Sequence, residues 1–137
     1  MAQEIILCIG LPGSGKSTWA KQYCIDNPDF ERINKDDIRI AMGSPAFSSS
    51  VEKNVLAMEH LEGSVILDSG KSLIIDDTNF APKHWEYWSK VSSDRGIHIS
   101  KNFFDVSVDE CIKRDSQREK PVGKKVIKCM FNTYLNR

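Results

Sequence analysis

Residues 10–18 read Gly-Leu-Pro-Gly-Ser-Gly-Lys-Ser-Thr. Gly10 to Ser17 has the spacing G-x-x-x-x-G-K-[ST], that of a loop that cradles phosphates. Glycines at 10, 13 and 15 let the backbone approach a ligand with no Cβ in the way. Successive N–H groups then bind phosphate oxygens, helped by the positive end of the helix that follows. The candidate nucleotide site is therefore Gly10, Pro12, Gly13, Ser14, Gly15, Lys16, Ser17 and Thr18. Lys16 sets an ammonium against the outer phosphates. The Ser17 hydroxyl is placed to ligate a Mg²⁺ that bridges β- and γ-phosphate oxygens. The motif names a nucleoside triphosphate and leaves the phosphate acceptor open.

Phosphoryl transfer needs charge neutralisation, alignment and a base near the incoming hydroxyl. Asp36 and Asp37 follow the second strand of the chain and are candidates for that base. They equally suit the first turn of a helix. Arg39, three residues on, shares a helix face with Asp36 and can grip an acceptor phosphate bidentately, or form a surface ion pair. Asp77 ends an apolar strand, where a carboxylate can hold the Mg²⁺ shell; Asp36 or Asp77 reaches the metal through water. Thr78 and Asn79 add hydrogen-bonding groups at the same rim, or cap a plain turn. Arg114 and Arg118 are four apart, ahead of a break at Pro121 and Gly123. They read as a lid that closes on the triphosphate, or as solvated helix charge. Trp19, Trp85 and Trp88 suit packing better than base stacking.

Alternating strands and helices must position these groups. Residues 4–9 are strand one, and Lys16 to about Ile25 is a helix stopped near Asn27-Pro28. Residues 30–34 form a short strand, and 35–42 leave it into a short helix closed by Gly43. Residues 44–50 form a loop. Ser49 and Glu52 have capping-box spacing, and Val51, Val55, Met58, Leu61 and Val65 then recur as one buried helical face. Residues 72–77 are a continuous apolar strand of the kind covered on both faces. Pro82 opens a helix that runs to about Asp94, with Gly96 as its stop. Residues 97–104 are a strand. A helix capped by Ser107 and Glu110 runs through Cys111, Arg114 and Arg118, and a last helix covers 126–135. The pattern makes residues 1–137 one α/β domain, a three-layer sandwich around a mostly parallel sheet. Ligands bind such sheets outside the carboxyl ends of the strands. Gly10–Lys16, Asp36–Arg39 and Asp77–Asn79 all follow strand ends, so one cleft can hold them.

The chain has 137 residues, with 19 basic and 19 acidic side chains. Zero net charge argues against a large nucleic-acid footprint. The distribution is uneven: residues 113–137 carry +6 and the first 112 carry −6. Such a basic end can steer a polyanion to one face, or simply solvate a helix. No apolar run approaches the ~20 residues of a membrane span, and residues 5–9 are too short for a secretory signal. The expected location is the cytoplasm, with no membrane partner. Cys8, Cys24, Cys111 and Cys129 lack zinc or C-x-x-C spacing and read as reduced thiols. His60, His84 and His98 are isolated. Oligomeric state stays open, a homo-oligomer included.

Together these residues resemble the kinase domain of bacteriophage polynucleotide 5′-kinases. Four segments carry the resemblance: residues 5–20, with the phosphate cradle; Ile33-Asn34-Lys35-Asp36-Asp37-Ile38-Arg39; Ile74-Ile75-Asp76-Asp77-Thr78-Asn79; and Lys113-Arg114-Asp115-Ser116-Gln117-Arg118. In order and spacing they span nearly the whole chain. The resemblance implies a P-loop kinase fold with a helical lid. It also implies Mg²⁺-dependent transfer of the ATP γ-phosphate to the 5′-hydroxyl of DNA or RNA, as in nucleic-acid end repair. It makes Asp36 the general base and gives Arg39 and Thr78 to the acceptor's phosphate. Asp77 supports the site, Arg118 closes on the donor phosphates, and Val122 falls where the family packs an acceptor base. A phage origin would place the enzyme in the host cytoplasm. The D-x-D-x-T motif of the family's 3′-phosphatase domain is absent, so repair of both end types by this polypeptide alone is not expected. The serine-rich segment 41–51 also departs from the family's charged pattern, at the expected acceptor channel. Two other functions fit the cradle: a kinase of small alcohols such as sugars, nucleosides or antibiotics, and a nucleotide-binding switch ATPase.

Overall fold

The structure, a computed structural model, describes residues 2–43 and 48–136. Four strands form one parallel sheet in the order β2-β3-β1-β4. They are β1 (Glu4–Ile9), β2 (Phe30–Ile33), β3 (Ser72–Ile75) and β4 (His98–Phe103). The helices are α1 (Lys16–Asp26), α2 (Lys35–Ala41), α3 (Ser49–Asp68), α4 (Pro82–Arg95), α5 (Val108–Ser116) and α6 (Lys124–Tyr134).

Alternation along the strands makes two apolar layers. Ile5, Leu7, Leu73, Ile75 and Ile33 pack on one face against Ile66 and Leu67 of α3 and Trp88 of α4. Ile6, Cys8, Ile74 and Phe30 pack on the other against Trp19, Ala20 and Tyr23 of α1. A third cluster, Leu11, Cys111 and Ile127, seats α5 and α6 on the loop after β1. The result is the three-layer α/β sandwich of a P-loop kinase, its sheet wholly parallel in the described residues.

Neighbouring strands β1 and β3 send their chains to opposite faces, to α1 and to α4. That divergence opens a crevice at their carboxyl ends, the usual ligand position in such a sheet.

The buried face of α3 differs from the expected one. Val55 is buried, but Met58, Leu61 and Val65 are exposed; the helix instead buries Glu59, Gly63, Ile66 and Leu67. Close approach decides this. A Cβ on Gly63 would lie 2.5 Å from Cη2 of Trp88, so only glycine lets α3 settle on α4. Glu59 can go inside because Lys35 reaches it. Ser48, not Ser49, caps α3, accepting from Val51 N at 3.3 Å. Of the expected loop 44–50, residues 44–47 lie outside the described residues. Helix α5 ends at Ser116, leaving Arg118 in the turn beyond it. No described helix is long and apolar enough to cross a membrane.

Candidate active site

The loop between β1 and α1 is wound as its glycines allow. Gly13 and Gly15 have φ of 83° and 97°, values that cost an L side chain strain. Helix α5 lies hard against it: a Cβ on Gly13 would sit 2.5 Å from the Cys111 carbonyl oxygen. Lys16 is buried. Its ammonium donates to the carbonyls of Gly10 and Leu11 at 2.9 and 2.8 Å, closing the loop around itself. Burial pushes its pKa below the ordinary lysine value, and the charge of Asp76 opposes that shift.

The carboxylate beside Ser17 is Asp76, not Asp77, the residue expected to hold the Mg²⁺ shell. The Ser17 hydroxyl donates to Asp76 Oδ2 at 2.7 Å, and Arg32 Nε donates to the same oxygen at 2.6 Å. Asp76 is 1% exposed, and its Oδ1 has no hydrogen-bond partner among the described residues. Asp77 points the other way. Its Oδ1 accepts from the backbone N–H of Lys35 at 2.9 Å, and Lys35 Nζ lies 3.5 Å from Oδ2. Parity explains the exchange. Ile74 faces α1, so two residues on Asp76 faces the α1 side; Asp77 continues the row of Leu73 and Ile75 toward α3. That signal was in the sequence, once Ile74 is paired with Ile6 and Cys8. A hydroxyl beside a carboxylate with a free, buried oxygen is a hard-oxygen donor set that fits Mg²⁺.

Asn34 caps α2, accepting from Asp37 N at 3.0 Å, and its Nδ2 donates to the Asp76 carbonyl at 2.5 Å. This ties α2 to the end of β3. Asp36 and Arg39 then share one face: Arg39 Nη1 lies 2.5 Å from Asp36 Oδ1. The Asp36 side chain is 64% exposed. Arg39 is also held by Glu52 of α3, which accepts from Nε and Nη2 at 2.6 Å each. Asp37 pairs with Arg32 at 2.6 Å.

Below α2, Lys35 Nζ also lies 3.6 Å from the fully buried Glu59. Burial, reinforced by the neighbouring charge of Asp77, pushes Glu59 up to about 10. It is therefore protonated at neutral pH. Glu59, Lys35 and Arg32 carry no expectation from the sequence, and Glu52 only that of a capping box with Ser49. A buried Glu on an apolar helix face was the signal for the first.

Thr78 lines a cavity of about 310 Å³ with Phe80, His84, Met130 and Tyr134. Burial and the nearby Lys35 push His84 down to about 4, so its ring is neutral at pH 7. Asn79 does not face the rim as expected. It is 5% exposed and has φ of 52°. Its amide donates inward to the Cys8 and Ile75 carbonyls at 2.8 and 3.3 Å, which clamps β1 to β3.

In the lid, Asp115 is buried and accepts from the backbone N–H groups of Val122 and Gly123 at 3.0 and 2.9 Å. It also draws Arg118 Nη1 to 3.3 Å. Arg114 pairs with Glu110 at 3.1 Å, near Gly15. Asp115 thus holds the Val122–Gly123 turn and Arg118, while Glu110 holds Arg114 beside the cradle.

Parallel sheet, phosphate cradle and the flanking helices α5 and α6 together define the P-loop kinase fold. The chain belongs to the AAA domain family, whose model matches residues 5–137. It is 23% identical over 150 residues to a candidate bifunctional polynucleotide kinase/RNA ligase of Autographa californica nuclear polyhedrosis virus, covering 98% of this chain and 21% of that one. It is 28% identical over 97 residues to a bifunctional polynucleotide phosphatase/kinase of Schizosaccharomyces pombe, covering 71% and 20%. The chain thus spans about a fifth of the length of these relatives. A chain of the Pnkp1/Rnl/Hen1 RNA repair complex superposes with a TM-score of 0.76 at 27% identity, over 93% of this chain and 42% of that one. The Mycobacterium tuberculosis APS kinase CysC, at 21% identity and a TM-score of 0.65, shares the fold.

Proposed function

We propose that this domain is a polynucleotide 5′-hydroxyl kinase, moving the γ-phosphate of ATP to the 5′-OH end of DNA or RNA. The observation that carries the proposal is the pairing of Asp36 with Arg39 on α2, 2.5 Å apart, on a helix that Asn34 ties to the backbone carbonyl of Asp76, the residue whose carboxylate meets Ser17. An alcohol acceptor of any kind calls for a carboxylate such as Asp36. A guanidinium beside it is useful when the acceptor also carries a phosphate. The names of the polynucleotide-kinase relatives support the same substrate class.

In this mechanism Asp36 takes the proton of the 5′-hydroxyl as its oxygen attacks the γ-phosphorus. The bond to the β–γ bridging oxygen breaks and ADP leaves. Lys16 and Arg118, with Arg114 behind, balance the charge that moves onto the phosphoryl oxygens. Ser17 and Asp76 would hold a Mg²⁺, which would supply further charge neutralisation at the donor phosphates. Arg39 and Thr78 hold the acceptor's own phosphate, and the cavity beside Thr78 leaves room near the acceptor. Val122 at the lid edge contributes an apolar surface. The four cysteines as free thiols suit work in the cytoplasm.

The test offers γ-labelled ATP with 5′-hydroxyl oligonucleotides of DNA and RNA, and with a panel of sugars, nucleosides and adenylyl sulfate. Label on the oligonucleotide 5′ ends is the expected result. Label on a small alcohol alone, or ATP turnover that 5′-hydroxyl ends do not stimulate, would replace this function with a small-molecule kinase or a switch ATPase.

A further inference from the structure

The Nε–Nη2 edge of Arg39 is already occupied before any acceptor arrives. Glu52 occupies the Nε–Nη2 edge of its guanidinium with two bonds of 2.6 Å, and Asp36 occupies Nη1. The Nε–Nη2 edge is the fork that takes a carboxylate or a phosphate bidentately. One cation between two carboxylates leaves this group at net −1. An acceptor phosphate cannot use the fork while Glu52 fills it, and is repelled by the cluster as a whole.

Resting on the kinase function proposed above, we infer that Glu52 is a stand-in for the acceptor's phosphate. The phosphate 3′ to the reactive nucleoside displaces the Glu52 carboxylate from the Nε–Nη2 edge of Arg39, while Asp36 keeps its place beside Nη1. The exchange sets the acceptor next to the base on one guanidinium.

Three features make the exchange feasible. Glu52 lies in the first turn of α3, where the helix N-terminus stabilises its charge without Arg39. Its side chain is 21% exposed, so water can receive it once released. Arg39 is anchored in the last turn of α2 and is 14% exposed, so its fork is held in place rather than searching for a partner. Because only an anion can take over the bidentate contact, Glu52 also determines specificity. An uncharged 5′-hydroxyl nucleoside has nothing to exchange with it.

The test measures binding of a fluorescent 5′-hydroxyl oligonucleotide, without ATP, to the wild-type protein, Glu52→Gln and Glu52→Ala. Kinase KM values are then compared for a nucleoside 3′-monophosphate and for the bare nucleoside. Removing the competing carboxylate should tighten oligonucleotide binding about fivefold, the upper worth of a partly exposed ion pair. KM should fall for the phosphate-bearing acceptor and stay the same for the nucleoside. A purely structural Glu52 that orients Arg39 gives the opposite sign, with weaker binding and a raised KM in both variants. That result, or no change, overturns the inference while leaving the kinase function intact. Absence of any transfer to 5′-hydroxyl ends by the wild-type protein removes both.

Discussion

Replacing Asp76 by asparagine separates the two carboxylates at the end of β3. Asp76 is 1% exposed and accepts at 2.7 Å from Ser17 and at 2.6 Å from Arg32. Hydrogen bonds to a charged group contribute about 1.5–3 kcal/mol each. Arg32 keeps Asp37, also at 2.6 Å, so its charge is not stranded, and the asparagine oxygen can keep both contacts as bonds to an uncharged acceptor; the loss is then about 1 kcal/mol per bond, about 2 kcal/mol together. In a domain of this size that is a fall in Tm of about 6–10 °C. The functional effect is separate. A ligand that binds only the folded state raises Tm by mass action, so wild-type protein should melt higher in MgATP than in ATP with chelator. Asp76→Asn should lose that difference, because the free Oδ1 and its charge are gone. Asp77→Asn should keep it, since Asp77 bonds Lys35 and the first turn of α2 instead. Differential scanning fluorimetry with and without Mg²⁺ gives both readings. If Asp76→Asn retained the magnesium-dependent shift while Asp77→Asn lost it, the parity argument that assigns the two carboxylates would be refuted.

Glu59→Gln should stabilise the protein progressively as pH rises. Glu59 is raised in the folded state from 4.5 to about 10 by burial first and by Asp77 second. The folded form then binds more protons than the unfolded one between those values, so wild-type stability falls with pH across that window. Glutamine removes the slope, and melting curves from pH 5 to 9 should show the gap opening; parallel curves would mean that Glu59 is ionised in the fold. Asp36→Asn should lower kcat about 10²–10⁴-fold, the usual contribution of an aligned base, with ATP affinity nearly unchanged in a binding titration. A variant that keeps most of its rate would assign the proton to another group. Gly13→Ala should lower Tm and weaken ATP together, because its Cβ would lie 2.5 Å from the Cys111 carbonyl at a φ of 83°. An unchanged melt would mean that α5 does not rest on the loop.

Local pattern settled a great deal in this chain. The cradle of residues 10–17 depends on glycines at 10, 13 and 15, a lysine and a hydroxyl, and such a loop needs only a strand before it and a helix after it. The alternation of strands and helices, the parallel sheet and the gathering of Gly10, Asp36 and Asp77–Asn79 at strand ends follow from the same short-range rules. Side-chain direction did not follow as readily. The strand end offers Asp77 for the Mg²⁺ shell, yet Asp76 is the carboxylate that meets Ser17, and in a strand one residue is the opposite face. Asn79 was read as a rim residue, yet its amide turns inward to the carbonyls of β1 and β3.

What only the tertiary structure decided are the contacts between elements distant in sequence. Arg32 with Asp76, Arg39 with Glu52 and Lys35 with Glu59 join residues 44, 13 and 24 positions apart. No periodicity encodes such pairs, because each exists only once two helices and a strand end have docked. The same holds for the exposed stripe of α3. Helical spacing shows which side chains share a face, but the clearance between Gly63 and Trp88 determines which face turns inward. The amino-acid order thus specified a triphosphate cradle and the strand ends around it. Packing of α2 and α3 on those ends selected which carboxylate meets the serine, which stays protonated and which lies across the arginine.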